Sequence, residues 1–132
     1  MQKTTRWKQR FDNLESSFQF LEESSKQDSY SRLELGGFIK AFDSCFELSW
    51  KTIKDYLEAQ GEVTKFAREA LKLSFQKEII EDGHLWLEML EKRNELSHTY
   101  SKVQAQKAIE TIKNSYLPAL KSLYQYLKSE RS

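Results

Sequence analysis

Apolar side chains recur along this chain in steps of three and four residues, the spacing of one face of an α-helix. Trp7, Phe11, Leu14, Phe18 and Leu21 make the first run. Lys26-Gln27-Asp28-Ser29 interrupts it, and Asp28, Ser29 or Ser31 is placed to cap the next helix. The second run is long: Leu35, Phe38, Phe42, Phe46, Trp50, Ile53 and Leu57, widened by Ile39 and Leu48. Gly61 is expected to stop it. Gly36-Gly37 fits either a late helix start or a close helix crossing. Thr64 is expected to cap a shorter third helix carrying Phe66, Ala70, Leu71 and Phe75, and Asp82-Gly83 reads as a turn. Leu85, Trp86, Met89 and Leu90 mark a fourth helix. The last run is Val103, Ile109, Ile112, Tyr116, Leu120, Leu123 and Leu127, which Pro118 should kink or split.

This pattern predicts five helical segments and no strand. The short connections favour antiparallel neighbours. The expected fold is therefore all-α, an up-and-down antiparallel helical bundle, with residues 1–132 forming one domain. Composition agrees: 4 Gly and 1 Pro are too few for the turns of a sandwich or barrel. A chain of 132 residues with 39% hydrophobic residues can bury a real core.

With 21 basic and 20 acidic residues the formal charge is +1. No global basic field drives nucleic-acid binding, though a local basic cleft is compatible with that balance. The single cysteine, Cys45, can form no internal disulfide, which fits a reducing compartment, and it reads as a small buried filler. No apolar run is long enough to span a membrane, and the N-terminus lacks the apolar core of a signal peptide. A cytoplasmic location is expected.

The sequence has no phosphate-binding Gly-rich loop and no G-x-G-x-x-G. Its two histidines, His84 and His98, lie far apart and there is no Cys/His cluster, so neither a metal nor a cofactor is expected. The carboxylates are scattered over amphipathic faces, as a solvated surface would have them. The aromatic residues, 13% of the chain, sit mostly at core spacing.

One stretch is different: Arg93-Asn94-Glu95-Leu96-Ser97-His98-Thr99-Tyr100. Seven residues beyond Trp86 comes Arg93, and four more bring Ser97, so both extend the line of an apolar seam. A guanidinium there costs energy unless a partner or ligand meets it. Asn94 and His98, four apart, share a neighbouring face. The helix end is expected to present Arg93, Asn94, Ser97 and His98 as one polar cluster, with Tyr100 just beyond. Such side chains suit phosphodiester chemistry. Histidine exchanges a proton near neutral pH, arginine stabilises charge growing on phosphorus, and Asn and Ser orient the phosphate. No metal is needed if the nucleophile is an RNA 2′-hydroxyl. The plainer reading is that a histidine at a helix C-terminus is a favourable cap for the dipole.

The octapeptide resembles the Arg-x4-His-x-Tyr signature of the HEPN superfamily of small helical proteins. Phe46-Glu47-Leu48-Ser49-Trp50-Lys51-Thr52-Ile53-Lys54-Asp55-Tyr56-Leu57 is similar to that family's second helix. Arg68-Glu69-Ala70 and Asp82-Gly83-x-x-Trp86-Leu87-x-Met89-Leu90 match it as well. The likeness covers most of the chain and is greatest to the branch of nucleotidyltransferase substrate-binding proteins. It implies a homodimeric helical bundle partnered by a separately encoded minimal nucleotidyltransferase. This chain has no Gly-Ser followed by Asp-x-Asp, the transferases' catalytic pattern, so it is not expected to be the transferase itself. In related two-component systems the helical protein is a ribonuclease toxin. The resemblance then implies Arg93 and His98 as catalytic residues, Asn94 as their support, and Tyr100 as the position the antitoxin adenylylates.

Three functions follow. The favoured one is a nucleotide- or substrate-binding partner subunit of the transferase, within a toxin–antitoxin pair. The alternative is a metal-independent endoribonuclease toxin using Arg93 and His98 and silenced at Tyr100, with RNA as its ligand. The third is a structural helical adaptor.

Overall fold

The computed structural model of the protein describes residues 2–98 and 101–132, with the backbone alone at position 97. Its helices are α1 (Lys3–Ser24), α2 (Arg32–Ala59), α3 (Ala67–Gln76), α4 (Gly83–Ser97), α5 (Lys102–Thr111) and α6 (Leu117–Arg131). A π-helical turn, Ile112–Tyr116, joins α5 to α6 with no gap, so the two form one interrupted rod. The architecture is a bundle of five helical segments, and no strand occurs among the described residues.

Pro118 accounts for the interruption. It has no N–H, and its ring crowds the carbonyl four residues back. The Leu117 N–H instead reaches the Ile112 carbonyl, five residues back, and the widened turn absorbs the mismatch. The chain stays helical through Pro118 and is not split.

Paired residues fix the directions of the helices. Trp7 packs edge-on against Tyr56 with centroids 5.0 Å apart, and Arg10 Nε donates to the buried Asp55 at 2.7 Å, so α1 and α2 run antiparallel. Asp12 pairs with Arg131 and Glu22 with Lys121, which sets α6 antiparallel to α1. Phe46 meets Trp86 while Asp43 meets Arg93, so α4 runs back along α2. The core holds the expected faces, including Phe11, Leu14, Phe18, Phe42, Phe46, Ile53, Trp86, Met89, Ile112 and Leu127. Cys45 lies within it, and burial pushes its thiol up to about 12 against the opposing effect of Ser49 and Ser17. No described helix is long and apolar enough to cross a membrane.

The ends of the helices follow local chemistry. Ser31 and Glu34 form a reciprocal capping box at the start of α2, at 3.1 and 2.8 Å. At its other end Gly61 adopts φ +90°, and the Glu62 and Gly61 N–H groups close on Leu57 and Glu58.

Five expectations are corrected. Gly36 and Gly37 lie inside α2, exposed, and a Cβ on either would meet no described residue within 4 Å. They mark neither a late start nor a crossing within this chain. Thr64 caps nothing; it is buried, and α3 starts after Phe66 without a side-chain cap. Phe66 and Phe75 are exposed, because α3 is short and turns only Ala70, Leu71 and Ser74 inward. Asp82-Gly83 is a helix start rather than a free turn: Asp82 Oδ1 accepts the Leu85 N–H at 3.1 Å. Gly83 is small because Phe75 covers it; a Cβ there would sit 2.9 Å from the Phe75 ring. In α5, Val103 is exposed, and Ala105 and Ala108 face the core in its place.

Candidate functional site

The octapeptide begins on the last two turns of α4, and what precedes it decides where its side chains go. Asp82 caps α4, and Trp86 and Met89 seat it in the core. One turn beyond Met89, Arg93 falls on the face turned toward α2. There Arg93 Nε donates to Asp43 Oδ1 at 2.9 Å, and its Nη1 pairs with Glu47. The guanidinium carbon stands 5.4 Å from the centroid of Phe46, whose ring also packs on Trp86 at 5.9 Å. The charge that the sequence places on an apolar seam is met by two carboxylates and an aromatic face of α2.

Further cations flank the pair. Lys51 reaches Glu47 at 3.2 Å, and Lys40 reaches Asp43 at 3.9 Å. Partial burial raises the Glu47 carboxyl, but Arg93, the Trp50 indole and Lys51 outweigh it and hold it below the usual carboxylate value. Lys51 is thus an ion-pair partner on α2.

His98 caps the C-terminal end of α4, its N–H bonded to the Glu95 carbonyl at 3.1 Å. Its Nδ1 donates to the Asn94 carbonyl at 2.7 Å. A carbonyl only accepts, so the proton of the neutral ring belongs on Nδ1 and the lone pair on Nε2. The ring lines a cleft of about 450 Å³ between α4 and α5. Lys92 and Leu96 line it from α4, Gln104, Lys107 and Thr111 from α5, and Tyr116 from the π turn. Tyr116 donates to Glu88 at 2.8 Å, and burial together with that carboxylate pushes its phenol well above the ordinary value.

Within one chain Arg93 and His98 do not converge. Five residues at about 100° each put them roughly 140° apart around the helix, one toward α2 and the other toward α5. Asn94 and His98 stay together on the outer side, both exposed. The Ser97 side chain and the whole of Tyr100 lie outside the described residues. His84 is exposed near the other end of α4. Among the described residues no His, Cys, Asp or Glu group is placed to hold a metal ion.

Several neighbours escaped the sequence reading. Asp43 and Glu47 are four apart on one side of α2, a detectable spacing, but nothing in the sequence says which cation they meet. Lys92, Lys107 and Gln104 look like ordinary surface positions until α5 is laid beside α4.

No curated protein gives a significant match to this chain. A crystal structure of a Thermus thermophilus protein superposes with a TM-score of 0.73 at 23% identity, covering 89% of this chain and 98% of that one. That likeness shows a shared fold. The sequence model of the family described as "nucleotidyltransferase substrate binding protein like" matches residues 9–129. The match runs from α1 nearly to the end of α6 and takes in both Arg93 with its α2 carboxylates and the His98 cleft, and the chain belongs to that family.

Proposed function

We propose that this chain is the nucleotide- and substrate-binding helical partner of a separately encoded minimal nucleotidyltransferase, in a two-component toxin–antitoxin system. The family match over residues 9–129 is the observation that carries this reading. The sequence adds that the transferases' own catalytic pattern is missing from this chain. We place the chain in the HEPN superfamily and assign it a homodimeric state, on the resemblance of its octapeptide and second helix. The test is co-expression with a minimal nucleotidyltransferase from the same genome. A stable complex through gel filtration, with transferase activity that depends on this chain, is the expected outcome. Two proteins that never co-elute, with activity indifferent to this chain, would refute it.

The His98 tautomer favours a second reading, a metal-independent endoribonuclease. With the proton on Nδ1, Nε2 is the atom suited to take the proton of an RNA 2′-hydroxyl. The 2′-oxygen then attacks the adjacent phosphorus and the 5′-oxygen leaves, protonated by the imidazolium of a second copy. A 2′,3′-cyclic phosphate and a 5′-hydroxyl result. Arg93 would stabilise the charge on phosphorus, and Asn94 and Ser97 would support the pair. If two α4 helices meet about a two-fold axis, Arg93 of one copy and His98 of the other face one groove. That arrangement answers their separation around a single helix. Adenylylation of Tyr100, with ATP supplying AMP and releasing pyrophosphate, would fill the groove and close it. A defined RNA incubated in EDTA with the parent and with His98→Ala decides the matter. Parent-only cleavage with cyclic phosphate ends supports the reading, and equal cleavage by both proteins sinks it.

A further inference from the structure

A second cleft, of about 490 Å³, lies on the other side of α5, against the α1–α2 connection. A smaller one of about 270 Å³ adjoins it and shares Leu35 and Lys102 with it. The joint volume falls in the ~300–1,000 Å³ range of small-molecule sites. No described side chain of the octapeptide lines either part.

Its chemistry is graded along its length. Arg32 lines only the smaller part and Lys102 both, so two of the three cations that line the cleft stand at that end. Neither is paired with a carboxylate among the described residues. Gly36 stands in the same wall, where a Cβ would meet no described residue within 4 Å. Asp28 and Glu110 line only the larger part. Half-buried Tyr30 supplies apolar surface in the larger part, over the buried side chains of Leu35 and Ile109. Lys113, on the π turn, fixes the far wall: its Nζ donates to the Gln27 carbonyl at 3.0 Å and lies 4.7 Å from the centroid of Tyr30.

We propose that this cleft binds a nucleoside 5′-phosphate. Arg32 and Lys102 take the phosphate, the base lies against Tyr30, and Asp28 and Glu110 accept hydrogen bonds from the ribose hydroxyls. A bare anion would gain nothing from Tyr30 and would be opposed by Asp28 and Glu110. A ligand with an anionic end, a flat apolar body and hydroxyl donors uses all three zones. The choice of ligand rests on the substrate-binding reading above; the residues do not.

The test is calorimetric titration of the whole chain, without transferase and in EDTA, with AMP, 2′-deoxy-AMP and inorganic phosphate. AMP should bind, and Arg32→Ala/Lys102→Ala should weaken it at least about tenfold. Deoxy-AMP should bind several-fold more weakly than AMP, and phosphate at least about tenfold more weakly. Both substituted side chains are exposed, so circular dichroism and melting should match the parent. Photolabelling with 8-azido-AMP gives an independent readout, expected on peptides containing Tyr30 or Ile109. Equal AMP affinity in parent and variant, no AMP binding at millimolar concentration, phosphate binding as tight as AMP, or label confined to the His98 cleft would each overturn the proposal. Failure to capture a transferase leaves it standing, and transferase capture without AMP binding removes it alone.

Discussion

Arg93 Nε lies 2.9 Å from Asp43 Oδ1, and through this contact the C-terminal part of α4 is tied to the middle of α2. The guanidinium also pairs with Glu47 and rests over Phe46, so its partners span more than one turn of α2. The Arg93 side chain is 20% exposed and that of Asp43 22%, dry enough for the pairing to matter and wet enough for a ligand to compete. Any phosphate that recruits Arg93 has to meet it at this edge or draw it away from two carboxylates.

Removing one partner should therefore leave a half-buried charge uncompensated. Asp43→Ala is expected to lower the unfolding free energy by about 1–3 kcal/mol, read from urea denaturation at neutral pH. Arg93→Lys should recover only part of an Arg93→Ala loss, because an ammonium cannot offer two directed donors and a flat face at once. Equal stability of parent and Asp43→Ala would mean that the contact contributes nothing in solution.

Acid should erase the part of this network that depends on Glu47. Its folded-state carboxyl lies below the ordinary 4.5: burial raises it, and Arg93, Trp50 and Lys51 lower it further. A depressed carboxylate contributes stability in full above its unfolded pKa and loses it as the pH falls through the folded value. Glu47→Gln should be less stable than the parent at pH 7, with the difference shrinking on acidification below 4.5. Urea midpoints measured in parallel across that range would show it; a constant gap would contradict the assignment.

Alkali should act through three phenols. Tyr56 donates to Glu130 at 2.5 Å, Tyr116 to Glu88 at 2.8 Å and Tyr124 to Glu15 at 2.6 Å. Burial first, and then the carboxylate partner, raises all three above the ordinary 10.0. A raised pKa gives stability that is whole below the unfolded value and declines as the pH climbs toward the folded one. The protein should lose stability above about pH 10, and absorbance at the phenolate band should lag behind free tyrosine until unfolding. Tyr56→Phe should flatten the decline. Early ionisation of all the tyrosines in the folded protein would argue against these bonds.

The long helices were legible because their burial repeats at helical spacing, from Trp7 to Leu21 and from Leu35 to Leu57. Short elements were not. Ten-residue α3 and α5 leave much of their surface to solvent, so Phe66, Phe75 and Val103 carry no periodic information. Arg93 stood out in the sequence as a charge on an apolar seam, but its partners come from a helix some fifty residues away. Lys107 and the α5 side of the His98 cleft exist only through packing, and no local spacing encodes them.

Gly36 and Gly37 give the last prediction. Both lie in the second turn of α2, exposed, with no described residue within 4 Å of the position a Cβ would take. Glycine within a helix is disfavoured by about 1 kcal/mol relative to alanine. Among the described residues nothing stands where a side chain at either position would go. Gly37→Ala should therefore stabilise the monomeric chain by up to about 1 kcal/mol, seen as a higher urea midpoint. If another polypeptide approaches α2 closely at this point, the same substitution should weaken that association while strengthening the fold. Sedimentation velocity beside the urea titration separates the two effects. A gain in both would make the pair a tolerated weakness of the helix, and a gain in stability with a loss of assembly would make it the footprint of a partner.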